Sequence, residues 1–180
     1  MKAVFFDRDG VINEDAGYLY KREDFIWTDG AKDTFAHLHN LGYAAFVVTN
    51  QSGVARGYYT EDDVNRLHRW MCEEVAEAGG KIEKVYYCPY LEGATVAAYD
   101  RKSSWRKPEP GMILQAFADY DIDKEKSFLV GDSPRDIEAA ERAGLDGYLF
   151  SGGSLKTFVD GILKERNVDG AISVSYTHLR

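Results

Sequence analysis

Cysteine is scarce in this 180-residue chain, which carries only Cys72 and Cys88. Two thiols give no disulfide framework. Long apolar runs are missing as well: no stretch approaches the roughly 20 residues that a membrane-spanning helix needs. The N-terminal run Ala3-Val4-Phe5-Phe6 meets Asp7-Arg8-Asp9 after four apolar residues. That is too short for the apolar region of a secretory signal. An excess of positive charge is also lacking, with 22 Lys and Arg against 30 Asp and Glu and a formal charge of −8. Such a surface repels polyphosphate. Neither nucleic acid nor membrane is expected as a partner, and a cytoplasmic monomer is. Any anion site must be locally positive, built from a cation and a few chosen basic side chains. The histidines His37, His39, His68 and His178 share no metal-ligand spacing, and solvated surface is their default.

What is present is ordinary for a globular protein: 44% hydrophobic and 29% charged residues. One domain over residues 1–173 is expected. The last residues, Val174 to Arg180, match a translated transposase sequencing adapter and are expected to be a non-native tail. Short apolar runs predict strands at Lys2 to Phe6, Ala44 to Thr49, Ile82 to Tyr87, Ser127 to Val130 and Gly147 to Phe150. Helical spacing predicts helices over Asp33–Leu41, Thr60–Ala78, Gly111–Tyr120, Pro134–Ala143 and Ser154–Arg166. In the second of these, Val64, Leu67, Met71 and Val75 form one apolar stripe and Thr60 is the expected N-cap. Strands alternating with helices imply a three-layer, doubly wound, Rossmann-like α/β domain with a central parallel sheet. Two loops are long, residues 8–32 and 88–109, and loops of that length are usually binding loops or lids.

Ligands of such sheets bind beyond the carboxyl ends of the strands. Polar residues with chemistry do follow the predicted strands: Asp7 and Asp9, then Thr49, then Asp132. Residues i and i+2 of an extended segment point the same way, so Asp7 and Asp9 can face one site. Two close carboxylates need a cation or a shared proton. A solvated turn at the strand end would also explain Asp7-Arg8-Asp9-Gly10 taken alone. Arg8, between the acids, should point away from them into a structural salt bridge.

The segments Asp7-Arg8-Asp9-Gly10-Val11-Ile12-Asn13, Thr49-Asn50-Gln51-Ser52-Gly53, Arg106-Lys107-Pro108 and Gly131-Asp132-Ser133 together resemble the haloacid dehalogenase (HAD) superfamily of phosphatases over residues 1–150. The resemblance implies an aspartyl-phosphate mechanism with Asp7 as nucleophile and Asp9 as general acid and base. It implies Mg²⁺ on Asp7, Asp132 and the backbone carbonyl of Asp9, with Thr49 on a phosphoryl oxygen and Lys107 neutralising the transferring group. Asp136 is either a support for the metal site or simply a favoured carboxylate in the first turn of its helix.

The intervals from Asp7 to Thr49 and from Thr49 to Lys107 leave no room for a cap domain. Within the capless group, called HAD-IIIA, the chain resembles the D,D-heptose 1,7-bisphosphate and histidinol-phosphate phosphatases. The features are Asp15-Ala16-Gly17-Tyr18, the run Thr49 to Gly57, Tyr86-Tyr87-Cys88-Pro89 and the run Arg106 to Met112. The implied substrate is a small phosphorylated sugar held by Asp15, Gly17, Tyr18, Asn50, Gln51, Ser52, Arg56 and Arg106. Many relatives bind structural zinc in the long loop, but here the four ligand places read Cys88, Tyr90, Ser103 and Trp105. A closed zinc site needs four ligands, so no zinc is expected and packing of Tyr90 and Trp105 must hold the loop. A non-catalytic phosphosugar-binding protein would be expected to lack Asp7, Asp9, Lys107 or Asp132, and all are present.

Overall fold

The computed structural model describes residues 1–166, so the suspected tail at 174–180 lies outside the described residues. Five strands, β1 (Lys2–Phe6), β2 (Tyr43–Asn50), β3 (Ile82–Cys88), β4 (Phe128–Gly131) and β5 (Asp146–Leu149), alternate with five helices. The helices are α1 (Ala31–Asn40), α2 (Glu61–Glu77), α3 (Gly111–Asp119), α4 (Pro134–Arg142) and α5 (Leu155–Glu165). All strand pairs are parallel, in the order β3-β2-β1-β4-β5. Each predicted strand and helix is present, with ends displaced by a residue or two.

The period of two in β1 builds the layers. Val4 and Phe6 face one core with Phe35 and Leu38 of α1, Leu67 and Met71 of α2 and Val159 of α5. Ala3 and Phe5 face the other with Met112 and Ile113 of α3 and Ala139 and Ala140 of α4. The chain leaves β1 for β2 and β3 on one side, then returns past β1 to β4 and β5. The order therefore reverses beside β1, and a crevice opens there at the carboxyl ends.

Each connection between consecutive strands holds one α-helix among the described residues, with short 3-10 turns besides, as expected for a domain without a cap. The loop after β3 is closed by its own contacts. Tyr90 lies between the Arg101 guanidinium, 3.9 Å from its ring centre, and the Tyr99 ring at 5.9 Å. Trp105 stands edge-on to Tyr86 at 5.9 Å, and both Trp105 and Tyr90 pack on the α3 core. No helix among the described residues is long and apolar enough to cross a membrane.

Helix α2 opens on a reciprocal cap. Thr60 Oγ1 accepts from the Asp63 amide at 3.1 Å, and the Thr60 amide donates to Asp63 Oδ2 at 2.9 Å. Thr60→Ala is expected to lower unfolding stability by about 1 kcal/mol, measured by urea denaturation with an unchanged m-value.

Candidate active site

The crevice collects its residues from strand ends. Asp7 directly follows β1, and its amide donates to Val130 O of β4 at 3.1 Å. Thr49 and Asn50 end β2, Asp132 follows β4, and Asp136 lies in the first turn of α4. Lys107 arrives from the long loop. Asn50 docks that loop by a double contact: Lys107 N donates to Asn50 Oδ1 at 2.9 Å, and Asn50 Nδ2 donates to Lys107 O at 3.1 Å.

The buried Lys107 ammonium is the hub. It lies 2.9 Å from Asp7 Oδ1, 2.6 Å from Asp136 Oδ1 and 2.8 Å from the Val48 carbonyl oxygen. Burial works to lower the Lys107 pKa, but Asp7 and Asp136 outweigh it, so the ammonium stays charged with its pKa raised. Burial raises the Asp7 pKa well above the usual carboxylate range, with Asp136 and Asp9 adding to the rise against Lys107. Burial likewise raises Asp132, helped by Asp136. Asp136 is engaged through both carboxylate oxygens. Its Oδ2 accepts from the amides of Asp132 and Ser133, each at 3.1 Å, while Oδ1 holds Lys107.

Asp9 is held differently. Its Oδ1 accepts from Arg8 Nε at 3.1 Å, Arg8 Nη2 at 2.8 Å and Asn13 Nδ2 at 3.0 Å. Its Oδ2 accepts from Gln51 Nε2 at 3.1 Å. Arg8 therefore does not point away from the acids. The reason is that the chain leaves the sheet here: the amides of Val11, Ile12 and Asn13 all turn back to Arg8 O, which breaks the strand alternation. His68 is a second correction. It is buried, not solvated, and its Nε2 lies 3.0 Å from Arg8 Nη1.

A cavity of about 390 Å³ lies over this floor. It is lined by Asp7, Asp9, Asp132, Asp136 and Lys107, and by every residue expected to hold substrate: Asp15, Gly17, Tyr18, Asn50, Gln51, Ser52, Arg56 and Arg106. Thr49 is not on its wall. The side chain is buried, and its Oγ1 accepts from Gln51 Nε2 at 3.0 Å. Two lining residues escaped the sequence reading, Tyr59 and Arg135. Tyr59, its hydroxyl pushed up to about 12 by burial, donates to Gln51 Oε1 at 2.6 Å. Its neighbour Gly53 is a usable signal, since a Cβ there would meet the Tyr59 ring at 2.1 Å. Arg135 sits one residue before Asp136 on the exposed side of the helix start. Arg106 is half-buried, and its Nη1 is buried without a hydrogen-bond partner among the described residues. Its pKa is lowered by burial and then by the charges of Arg135 and Arg56.

The acids fit a divalent cation. Among the described residues, carboxylate oxygens of Asp7, Asp132 and Asp136 lie within 4.8 Å of one another. Asp136 is already engaged by Lys107 and two amides, which leaves Asp7 and Asp132 as the direct donors. Both are oxygen ligands, the chemistry that Mg²⁺ prefers, and both carry raised pKa values that a cation would relieve. The Asp9 carboxylate, tied to Arg8, Asn13 and Gln51, is outside this cluster.

A parallel sheet with an aspartate after β1, a lysine bound to it and a second acid after β4 defines a hydrolase of the HAD type. Residues 104–160 match a family model described as "HAD-hyrolase-like". The chain is 44% identical over 163 residues to the D-glycero-beta-D-manno-heptose-1,7-bisphosphate 7-phosphatase of Rhodopseudomonas palustris, with 91% of each chain covered. It is 46% identical over 144 residues to the D-glycero-alpha-D-manno-heptose-1,7-bisphosphate 7-phosphatase of Burkholderia mallei, covering 80% of this chain and 76% of that protein. The crystal structure of D,D-heptose 1,7-bisphosphate phosphatase from B. bronchiseptica, complexed with magnesium and phosphate, superposes with a TM-score of 0.76. That pair is 30% identical, with 97% of this chain and 92% of the other covered. The chain belongs to the HAD family of phosphatases.

Gly10 adjoins the acids at φ +87°, and a Cβ there would meet Asp132 Oδ2 at 1.9 Å. Gly10→Ala is expected to displace Asp132 and weaken Mg²⁺ activation at least about tenfold, a shift of some 1.4 kcal/mol. Titration of activity with Mg²⁺, beside an unchanged far-UV circular dichroism spectrum, checks it.

Proposed function

We propose that the chain is a Mg²⁺-dependent phosphatase that converts D-glycero-D-manno-heptose 1,7-bisphosphate to the 1-phosphate through an aspartyl phosphate on Asp7. The observation that carries this reading is the charge layout of one cavity. Its floor holds Asp7, Lys107 and Asp132, and its wall holds the guanidinium groups of Arg56, Arg106 and Arg135. A monophosphate would use only the floor. A bisphosphate gives the three guanidiniums an anion of their own.

The residues divide the chemistry as follows. Lys107 Nζ and the Arg8 amide, each 2.9 Å from Asp7 Oδ1, fix that oxygen and leave Oδ2 for attack on phosphorus. The bond from phosphorus to the sugar oxygen breaks as the bond to Asp7 forms. Asp9 protonates the departing sugar oxygen and then takes a proton from the water that cleaves the intermediate, which returns Asp7 and frees phosphate. Acid–base help of this kind is worth about 10²–10⁴-fold in rate. Lys107 offsets negative charge on the transferring group from a fixed, water-poor position. Mg²⁺ bound by Asp7, Asp132 and the Asp9 carbonyl would polarise the phosphoryl oxygens and shield the carboxylates from each other. Thr49 acts from beneath the cavity, through Gln51. Zinc has no part in the proposal.

Arg106 anchors the second phosphate in this reading, since a guanidinium binds phosphate in bidentate fashion and Nη1 is a buried donor without a partner among the described residues. Asp15, Gly17 and Tyr18 form the rim. Asp15 Oδ1 accepts from the Gly17 amide at 3.0 Å, and the Tyr18 ring lies 5.5 Å from the Arg56 guanidinium. The relatives include proteins named for either anomer, so both anomers belong in the assay. Arg106→Ala is expected to raise KM for the bisphosphate by about 10- to 100-fold, on the scale of a lost charged hydrogen bond, with little change for histidinol phosphate. Equal turnover of histidinol phosphate and heptose bisphosphate by the unaltered chain would contradict the assignment.

A further inference from the structure

The buried side chains of Arg8 and His68 have no place in the reaction as described so far, yet the Arg8 guanidinium touches the residue that must carry the proton. We infer that Arg8 and His68 are positioning residues that pin Oδ1 of Asp9, so that Oδ2 is the oxygen that gives and takes the proton. The inference rests on the proposed role of Asp9 as general acid and base.

The argument is one of donor counting. Three N–H donors converge on Asp9 Oδ1, two from Arg8 and one from Asn13. An oxygen so saturated has no free lone pair in reach of the cavity and cannot carry a proton. Among the described residues, Oδ2 meets only Gln51 Nε2, at 3.1 Å. Asp9 and Gln51 both line the cavity. Tyr59 holds the far end of that amide by donating to Oε1, so Gln51 presents its N–H to Oδ2 and can yield when the carboxyl is protonated. Oδ1 is then the anchor and Oδ2 the working atom.

The anchor is only as good as the guanidinium that forms it. Arg8 is fully buried, and two of its three remaining N–H donors are committed: one on Nη2 to the Leu19 carbonyl at 3.1 Å and one on Nη1 to His68 Nε2 at 3.0 Å. Arginine has no acceptor, so His68 Nε2 must accept, which requires the neutral ring with its proton on Nδ1. Burial and then the Arg8 charge push the His68 pKa well below its ordinary value, in keeping with that tautomer. His68 also stands on the buried face of α2 with Val64, Met71 and Val75, so the helix backs the clamp rigidly. Misplacing a reacting group by about 1 Å can cost 10²-fold in rate.

The test separates positioning from simple structural support through the leaving group. A sugar hydroxyl needs a proton as it departs, whereas 4-nitrophenolate does not, and kcat/KM reports the step up to the aspartyl phosphate for both. The ratio of kcat/KM for heptose bisphosphate to kcat/KM for 4-nitrophenyl phosphate is measured with Mg²⁺ in the full chain. Asp9→Asn sets the scale by removing the acid. His68→Phe and Arg8→Lys are each expected to lower the ratio by about tenfold, within the acid's own 10²–10⁴-fold. His68→Gln, which keeps an acceptor at the position of Nε2, is expected to restore it. A ratio unchanged in both His68→Phe and Arg8→Lys, with Asp9→Asn lowering it, would overturn the positioning role alone. A ratio unchanged in Asp9→Asn would instead overturn the acid role on which it rests. Should His68→Phe fail to fold, Arg8→Lys decides.

Discussion

The Lys107 ammonium, buried between Asp7 and Asp136 and hydrogen-bonded to the Val48 carbonyl, ties together four separate parts of the chain. It joins the end of β1, the end of β2, the first turn of α4 and the long loop that delivers it. A charge taken out of water is tolerated only where opposite charge and hydrogen bonds replace the solvent. Here two carboxylates and a carbonyl do so. Removing one partner of such a buried group typically costs about 3–5 kcal/mol, because the rest is left uncompensated. The ammonium is therefore both a fold constraint and the fixed positive charge that phosphoryl transfer needs. That double duty explains why Asn50 spends both ends of its amide on the Lys107 backbone.

The rest of the site follows from that constraint and the sheet. The strand order reverses beside β1, so Asp7 and Asp132 emerge on adjacent strands. Glycines keep the acids close. Gly10 and Gly131 leave no room for a Cβ against Asp132 and Asp136, at 1.9 Å and 2.3 Å respectively. The two acids after β1 are then given different environments. Asp7 is buried against the ammonium, while Asp9 is anchored by a guanidinium and two amides at the edge of the cavity. Two carboxylates with separate surroundings can take separate roles.

Much of this was legible in the sequence, for physical reasons that differ by residue. Strands and helices were readable because apolar periodicity reports burial directly. Asp7 and Asp132 were readable because they directly follow strands, where ligands of parallel sheets bind, whereas Lys107, delivered by the long loop, was readable only through the family resemblance of its motif. Arg8 was misread because strand alternation was extended past Phe6 into a turn that folds onto Arg8 O. His68 was misread because a titratable ring defaults to the surface. The spacing Val64, His68, Met71, Val75 placed it on the buried stripe all along. Tyr59 and Arg135 were missed because neither belongs to a motif: Tyr59 acts through the Gln51 amide eight residues earlier, and Arg135 is an exposed residue at a helix start. Thr49 stands at the expected strand end, where its hydroxyl accepts from Gln51 Nε2, a contact that no motif encodes.

The central claim is that phosphate passes through Asp7. Brief mixing with substrate and Mg²⁺, acid quenching and borohydride reduction, followed by peptide mass spectrometry, tests it most directly. The account predicts homoserine at position 7 in substrate-dependent amount, and none in Asp7→Asn. Full turnover with no reduced residue at position 7, or reduction at another carboxylate, would contradict it.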